Sequence, residues 1–196
     1  MPRDPEETKR RIFEAAQAEF AEHGIAGARI DRIAGAARAN KQLIYAYFGN
    51  KRELFEQVIG ANLARFVEEV PFTPTDLATY AAAQFDFYLE HPDHARISAW
   101  HALEPGESEH PVAAVRAELQ RRARAVAHAQ KQGLVDDSVS AVDLLALINA
   151  MASSSVVQIP ERAPLRSRRE VARRRQTVIE AVTRLTAGTT AGELRS

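Results

Sequence analysis

The chain has 196 residues, of which 45% are hydrophobic, and its 26 basic side chains are matched by 26 acidic ones. It is therefore long enough to bury a core, and it lacks the overall positive charge of a protein that coats nucleic acid. The absence of cysteine excludes disulfides, thiolate catalysis and cysteine-ligated metals. With neither the apolar centre of a signal peptide nor a run of roughly 20 apolar residues, we expect a cytoplasmic protein that does not enter a membrane.

Helical periodicity dominates the sequence from its start. Apolar residues recur mainly at intervals of three and four, and the alternating Val, Ile and Thr runs of strands are missing, which predicts an all-α fold. The first predicted helix begins after Asp4, which can cap it, with Pro5 in the first turn, and it ends at Gly24. Its inner face carries Ile12, Ala16 and Phe20.

Two short helices and a longer one follow the first. The second is predicted at about residues 29–36, and the third follows Asn40, a good N-cap, and ends near Phe48. The fourth begins at about Lys51 and continues until Pro71 interrupts the pattern. Beyond this break we predict helices at about 76–90, 94–103, 111–132, 140–157 and 166–187.

The segment of residues 28–52 concentrates positive charge, with six basic side chains against the single acid Asp31. Two short helices joined by a tight turn, the second opened by a polar cap and flanked by basic residues, predict a helix-turn-helix whose second helix enters the major groove of DNA. Tyr45 and Tyr47 can brace that helix, since a tyrosine ring rests on the domain while its hydroxyl reaches a phosphate. The alternative is a basic pair of helices that is exposed to solvent and binds no partner. It is less favoured because the caps, the spacing, the aromatic residues and the charge all indicate a DNA-binding motif.

The stretch "GIAGARIDRIAGAARANKQLIYAYFGNKRELF" resembles the N-terminal DNA-binding domain of the TetR family of transcriptional regulators, and its Tyr-x-Tyr-Phe segment is among the most specific features. The resemblance covers about residues 8–58 and implies a recognition helix at 40–47 and a phosphate contact by Lys51. It also implies a ligand-responsive, sequence-specific regulator, a repressor that a small-molecule effector releases from a palindromic operator in double-stranded DNA.

The resemblance further implies the organisation of the whole chain. We expect a three-helix, N-terminal helix-turn-helix DNA-binding domain at residues 1–52 and a C-terminal helical bundle for ligand binding and dimerisation at 53–188. The tail at 189–196 is expected to be frayed. No cofactor or metal is predicted, because Pro92 separates His91 from His94 and no third ligand is evident.

Three positions depart from the family pattern. Ala28 or Arg29 stands where a small hydroxyl residue often opens the second helix, and we expect the Arg29 side chain to reach phosphate instead. Arg38 occupies the place of a turn glycine, although positive φ is uncommon for other residues. Gln42 replaces a frequent glycine and predicts a base contact, because glutamine pairs with adenine through two hydrogen bonds. The predicted DNA-binding residues are Arg29, Arg38, Asn40, Lys41, Gln42, Leu43, Tyr45, Tyr47 and Lys51.

The segment 141–157 is apolar on almost every side, which predicts that one face packs on its own domain and the other on a second copy of the chain. Packing within one chain is the alternative, and we favour a homodimer. The arginine-rich start of the last helix is interpreted as a solvated face. The predicted dimer contacts are Leu144, Leu147, Ile148, Val178, Val182 and Leu185.

An effector pocket is predicted where aromatic and polar side chains recur on the middle helices, a composition that suits a small, mainly apolar molecule. Ordinary core packing is the alternative for each residue taken alone. The candidate residues are Tyr80, Gln84, Phe87, Trp100, His101, His128, Asn149 and Met151.

Two other classes of function compete with the sensor. A DNA-binding protein that recruits partners and senses no small molecule would lack a ligand-sized cavity among the middle helices. An enzyme is disfavoured, because the sequence carries no phosphate loop, no HExxH pair, no nucleophile elbow and no Glu-x-x-His iron pattern.

Overall fold

The helices begin and end at the polar caps and glycines of the sequence. In the computed structural model, which describes residues 4–103, 110–154 and 167–187, the side chain of Asp4 accepts a hydrogen bond from the Glu6 N–H at the start of the first helix. Ser140 and Ser167 cap two later helices in the same way. The helices are α1 (Pro5–Gly27), α2 (Ile30–Ala37), α3 (Lys41–Phe48), α4 (Lys51–Glu69), α5 (Leu77–Glu90), α6 (Pro92–Leu103), α7 (His110–Lys131), α8 (Ala141–Ser153) and α9 (Arg168–Thr186).

These bounds confirm the predicted all-α fold over the described ranges, and each predicted helix has its counterpart within a few residues. The first helix differs most, because it runs to Gly27 with a kink at Gly24, whose φ is 63°. A positive φ at glycine lets the chain change direction there while helical hydrogen bonding resumes beyond it. The predicted last turn of α8, at 155–157, and the tail at 189–196 lie outside the described residues.

The described residues divide into two compact units. The first comprises the chain up to Phe66 together with His91–Val115, and the second comprises Val67–Glu90 and the residues from Arg116 onward. The units interleave along the chain, so the expected division at residue 52 stays a prediction. None of the helices in the described ranges is long and apolar enough to cross a membrane.

The first unit is built on α1, which packs against α2, α3 and α6. Its core draws apolar side chains from each of these helices and from α4, which is why two helices of only eight residues can hold a fixed geometry. The most deeply buried are Ile12, Ala16, Phe20, Ile33, Ile44, Leu54, Val58 and Ile97.

The second unit packs α5 against α8 and α9. Four of the expected dimer contacts, Leu144, Ile148, Val178 and Val182, are buried within the chain itself. These stripes pack in the core of the second unit, and their contact with a second copy stays a prediction. Leu185 is half-buried, whereas Leu147 is 45% exposed.

Candidate nucleic-acid interface

Helices α2 and α3 form a helix-turn-helix held together by small and branched apolar side chains. Ile33, Ala34 and Ala37 of α2 are buried in the same core as Ile44 and Phe48 of α3. The alanines on α2 add little bulk, which allows the two short helices to pack closely. The opposite face of α3 is thereby left at the surface.

The turn between the two helices depends on one residue in the left-handed region. Arg38 has φ 51° and ψ 40° and ends α2, with its N–H donated to the Gly35 carbonyl at 3.2 Å. The Ala39 N–H then reaches the carbonyl of Ala34 at 3.0 Å. An arginine therefore takes the conformation that favours glycine, at a cost of roughly 1–2 kcal/mol. The side chain of Arg38 is exposed and available to DNA.

Some residues of helix α3 fix it on the core of the unit, and others are exposed at the surface. The Asn40 side chain accepts a hydrogen bond from the Leu43 N–H at 2.8 Å and so caps the helix. Leu43 and Tyr47 are half-buried against the core, whereas Gln42 is exposed and Tyr45 is 50% exposed. Asn40, Leu43 and Tyr47, three of the predicted DNA-binding residues, thus also support the fold, whereas Gln42 and Tyr45 stand outward.

A second cap fixes the basic start of α4. Asn50 accepts hydrogen bonds from the N–H groups of Arg52 at 2.9 Å and Glu53 at 3.0 Å, while Glu53 accepts from the Asn50 N–H at 3.1 Å. This reciprocal capping box places Lys51 in the first turn. The Lys51 ammonium donates to the Ala28 carbonyl at 3.1 Å, which joins the start of α4 to the segment that opens α2.

Two of the basic side chains in the segment form ion pairs with acidic residues of the protein. Lys41 pairs with Asp31, the two side-chain charges lying 2.5 Å apart, and the hydrogen bond to Asp31 raises the pKa of Lys41. The pair is exposed on both sides, and such pairs contribute at most about 1 kcal/mol, so a phosphate can compete for Lys41. Arg32 pairs instead with Glu19, which is 9% exposed.

The Glu19–Arg32 pair was missed by the sequence reasoning. Its signal lay in α1, where Glu19 places an acid on the face that also carries the buried Ile12, Ala16 and Phe20. A carboxylate at such a position calls for a partner, because burial of an unpaired charge is costly.

Comparison with known proteins agrees with this geometry. Residues 12–58 match the tetR family of bacterial regulatory proteins, and residues 76–184 match the tetracyclin repressor-like C-terminal domain. The chain belongs to the TetR family of transcriptional regulators. It is 50% identical over 156 residues to the HTH-type transcriptional repressor SCO4008 of Streptomyces coelicolor, with 79% of this chain and 81% of that protein covered.

Solved structures share the fold of this TetR-family chain. The transcriptional regulator SCO4942 of Streptomyces coelicolor superposes with a TM-score of 0.75 at 35% identity, covering 91% of this chain and 98% of that one. AibR, crystallised with isovaleryl coenzyme A and operator DNA, has a TM-score of 0.67 at 19% identity and covers 91% and 97%. The family identifies the chain as a DNA-binding transcriptional repressor and not an enzyme.

The effector residues expected for a TetR-family protein fall in both units. In the second unit Tyr80, Gln84 and Phe87 are all buried on α5. The Tyr80 hydroxyl accepts a hydrogen bond from Arg122 of α7, whose guanidinium is buried and lies 5.1 Å from the ring centre of Phe72 and 5.3 Å from that of Tyr80. Arg122 and Phe72 were missed because their link to Tyr80 crosses long stretches of sequence.

The Arg122 guanidinium is also paired with an acid. Its Nε donates to Glu118 at 2.6 Å, and Arg121 donates to the same carboxylate. The hydrogen bond from Arg121, with that from Arg122, outweighs the opposing effect of burial and lowers the pKa of Glu118 to about 2. The cluster thus joins two arginines, one carboxylate and a phenol beside the aromatic rings of α5.

Two predicted effector residues belong to the first unit. The Trp100 indole N–H donates to the Ala21 carbonyl at 3.2 Å, and a Cβ at Gly24 would lie 2.9 Å from the Trp100 ring. His101 lies with its ring 6.4 Å from that of Phe55, and burial lowers the pKa of His101. These side chains pack α6 on the core of the DNA-binding unit.

The other three candidates have separate surroundings in the second unit. Asn149 is exposed, yet its side-chain oxygen accepts a hydrogen bond from the Tyr88 hydroxyl at 2.8 Å. Met151 is half-buried on the same helix, and His128 is exposed on α7. Their joint role in a pocket stays a prediction.

Proposed function

We propose that this TetR-family repressor reads a palindromic operator as a homodimer in the cytoplasm and is released by a small, mainly apolar effector. The proposal rests on the position of α3. One face of this helix is buried in the core, and Gln42 and Tyr45 are exposed on the other. A two-fold protein reads a pseudo-palindrome because its two recognition helices enter successive major grooves, roughly 34 Å apart.

We assign base reading to Gln42 of α3, and phosphate contact to Tyr47 of α3 and Lys51 of α4. Gln42 is exposed and carries an amide that can pair with adenine. Lys51 is already oriented by its hydrogen bond to Ala28, and the half-buried Tyr47 carries a hydroxyl that can donate to a phosphate. Replacement of Gln42 by Ala is expected to reduce discrimination by about 1–3 kcal/mol at one base pair.

Titrations on a duplex selected by the wild-type protein from a randomised pool, and on random DNA, test these assignments. Lys51→Ala and Tyr47→Phe should weaken both complexes alike, whereas Gln42→Ala should weaken chiefly the selected one. The exposed neighbour Ala46 offers a control, since Ala46→Ser changes α3 without removing a proposed contact. An equal loss on both duplexes for Gln42→Ala would assign Gln42 to phosphate instead.

For the dimer we propose the outward face of α8. Val142 is 66% exposed and Leu147 is 45% exposed, while the inward face of the same helix packs in the core of the second unit. Exposed branched side chains on a helix that is otherwise apolar favour a second protein surface. Light scattering at micromolar concentration should give the mass of two chains, and Leu147→Glu should give one, with Lys131→Glu at the exposed end of α7 as the control.

For the effector we propose the surroundings of Tyr80, Gln84 and Phe87. Gln84 is 2% exposed, and its side-chain oxygen accepts no hydrogen bond from the described residues. A buried acceptor without a donor is costly, so a ligand with an apolar body and one hydrogen-bond donor would satisfy it. AibR, which shares the fold, was crystallised with isovaleryl coenzyme A and operator DNA, which supports a ligand site in this fold.

Linkage provides the test of the effector. A compound that weakens operator binding tenfold must itself bind tenfold more weakly in the presence of operator, about 1.4 kcal/mol in each direction. Phe87→Ala should lower its affinity and leave operator affinity unchanged. A screen of apolar compounds with amine or hydroxyl donors in which none alters operator affinity would favour a partner-recruiting regulator.

A further inference from the structure

Helix α2 begins without the side chains that usually cap a helix. A capping box pairs a short polar N-cap side chain, such as Ser, Thr or the Asn50 of α4, with Glu or Gln three residues later, whose side chain accepts a hydrogen bond from the N-cap N–H. Here the N-cap is Arg29, which makes no side-chain capping hydrogen bond, and the residue three positions later is Arg32. Both capping positions therefore carry arginine.

The missing acceptor comes from another helix. Glu19 of α1 accepts a hydrogen bond from the Arg29 N–H at 2.8 Å, which is the donor that the acidic residue of a capping box takes. The same carboxylate receives the Arg32 Nε at 2.8 and 3.0 Å, and Arg32 also donates to the Gly27 carbonyl at 2.8 Å. Glu19 thus holds the N-cap and the third residue of α2 together.

We propose that Glu19 is a positioning residue for DNA binding, which replaces from α1 the acidic residue of the α2 capping box and holds Arg29 where its side chain meets a backbone phosphate. Arg29 itself is exposed, so only its backbone is fixed by this contact. The Lys51 ammonium binds the carbonyl of Ala28, one residue earlier. The Ala28–Arg29 peptide bond is thus held from both ends, by Lys51 at its carbonyl and by Glu19 at its N–H. These two contacts place the ammonium of Lys51 next to the backbone of Arg29.

The electrostatics keep Glu19 charged for this role. Burial alone would raise the pKa of Glu19, but the hydrogen bonds from Arg32 and from the Arg29 N–H outweigh burial and lower it. The charged or titratable side chains that face the carboxylate are Arg32 of α2 and His23, whose Nε2 lies 3.8 Å away on α1. A carboxylate beside the N-terminus of α2 also complements the partial positive charge of the helix dipole.

Glu19→Met tests the proposal, because it removes the acceptor while keeping a side chain of similar length. On the duplex selected by the wild-type protein we expect about tenfold weaker binding and a salt slope reduced by about one, as the Arg29 phosphate contact is lost. Arg29→Ala should produce the same slope, and the double variant should lose no more than either. A role in stability alone would lower the free energy of unfolding and leave the salt slope unchanged.

The neighbouring Glu22 gives a matched control, since its carboxylate lies 3.8 Å from the same His23 but is 73% exposed. Glu22→Met should leave affinity and slope at wild-type values. Glu19→Met with Arg32→Glu should restore both, because the new acid at the third position completes the capping contact locally, whereas Glu19→Met with Arg32→Ala should not. Unchanged slopes for both Glu19→Met and Arg29→Ala, or failure of the Arg32→Glu rescue, would overturn the proposal.

Discussion

The two units of this protein use polar side chains in opposite ways. In the DNA-binding unit the caps of α3 and α4 join residues close in sequence, such as Asn40 with Leu43, three residues apart, and Lys51 with Ala28 spans 23 positions. In the second unit the buried polar cluster joins residues farther apart, and Tyr80 with Arg122 spans 42 positions. The first unit is therefore specified largely by local chemistry, whereas the second depends on its tertiary packing.

The two units also differ in how deeply their basic side chains are buried. The basic groups of the first unit are mostly exposed on a small apolar scaffold, where they are free to exchange a protein partner for phosphate. In the second unit Arg122 is 2% exposed and bound to Glu118 and Tyr80. A buried charge that has lost its partner cannot turn to water, so substitutions should cost more in the second unit than in the first.

The largest effect is expected at Arg122. Arg122→Met keeps the volume of the side chain but leaves the Tyr80 hydroxyl and part of the Glu118 carboxylate without their donor. We expect a loss of about 3 kcal/mol in the free energy of unfolding, measured by urea denaturation. The exposed Arg121, which binds the same carboxylate, is the control, and Arg121→Met should cost below about 1 kcal/mol. Equal losses for the two variants would remove the contrast between buried and exposed charges.

A smaller loss is expected at Gly24, where the first unit does depend on a distant residue. Its φ of 63° and ψ of −178° suit glycine alone, and an added Cβ would lie 2.9 Å from two atoms of the Trp100 ring. Gly24→Ala should therefore lower the free energy of unfolding by about 2 kcal/mol. Gly35, where a Cβ would meet nothing within 4 Å, is the control. Thermal unfolding of both variants checks the difference.

Arg38 should give a gain in stability at the turn. Arg38→Gly relieves the cost of φ 51° and should raise the free energy of unfolding by about 1 kcal/mol relative to Arg38→Ala, which keeps the strain. Both variants lose the same charge and should weaken DNA binding to the same extent. A glycine variant no more stable than the alanine variant would show that the turn is not strained.

Acidification should weaken the Glu118 cluster only below the usual pKa of glutamate. The pKa of Glu118 is held at about 2, below the usual value for glutamate of about 4.3, so its interactions stabilise the folded state above that usual value. This stability is lost as the pH falls from about 4.3 through about 2. Urea denaturation between pH 7 and pH 2.5 should show a decline that is shallower in Glu118→Gln. Parallel curves for wild type and variant would assign the acid sensitivity elsewhere.

The sequence predicted the helices and the recognition motif because both rest on local signals. Asn40 caps α3 as expected, and the apolar periodicity of α2 and α3 placed their contact faces correctly. The acid Glu19 was not recognised, since its partners lie 10 and 13 residues away, across the kink in α1.

The second unit could be predicted only as helices. A helix that is apolar on most sides does not reveal which stripe packs within its own chain, and the burial of Leu144 and Ile148 could not be derived from the sequence. The Arg122 cluster could not be predicted either. A hydrogen bond between residues 42 positions apart produces no periodic pattern in the sequence. Secondary structure follows from periodicity, whereas the pairing of faces requires the packed structure.

The position of Trp100 gives the DNA-binding unit its own optical signal. It is the sole tryptophan of the chain, and its indole is bound to Ala21 and rests on Gly24 of α1. Intrinsic fluorescence excited at the indole band therefore reports the environment of α1 and α6. Emission from the unmodified protein can follow the melting of the first unit while far-ultraviolet circular dichroism follows both, so the two units can be resolved without a label.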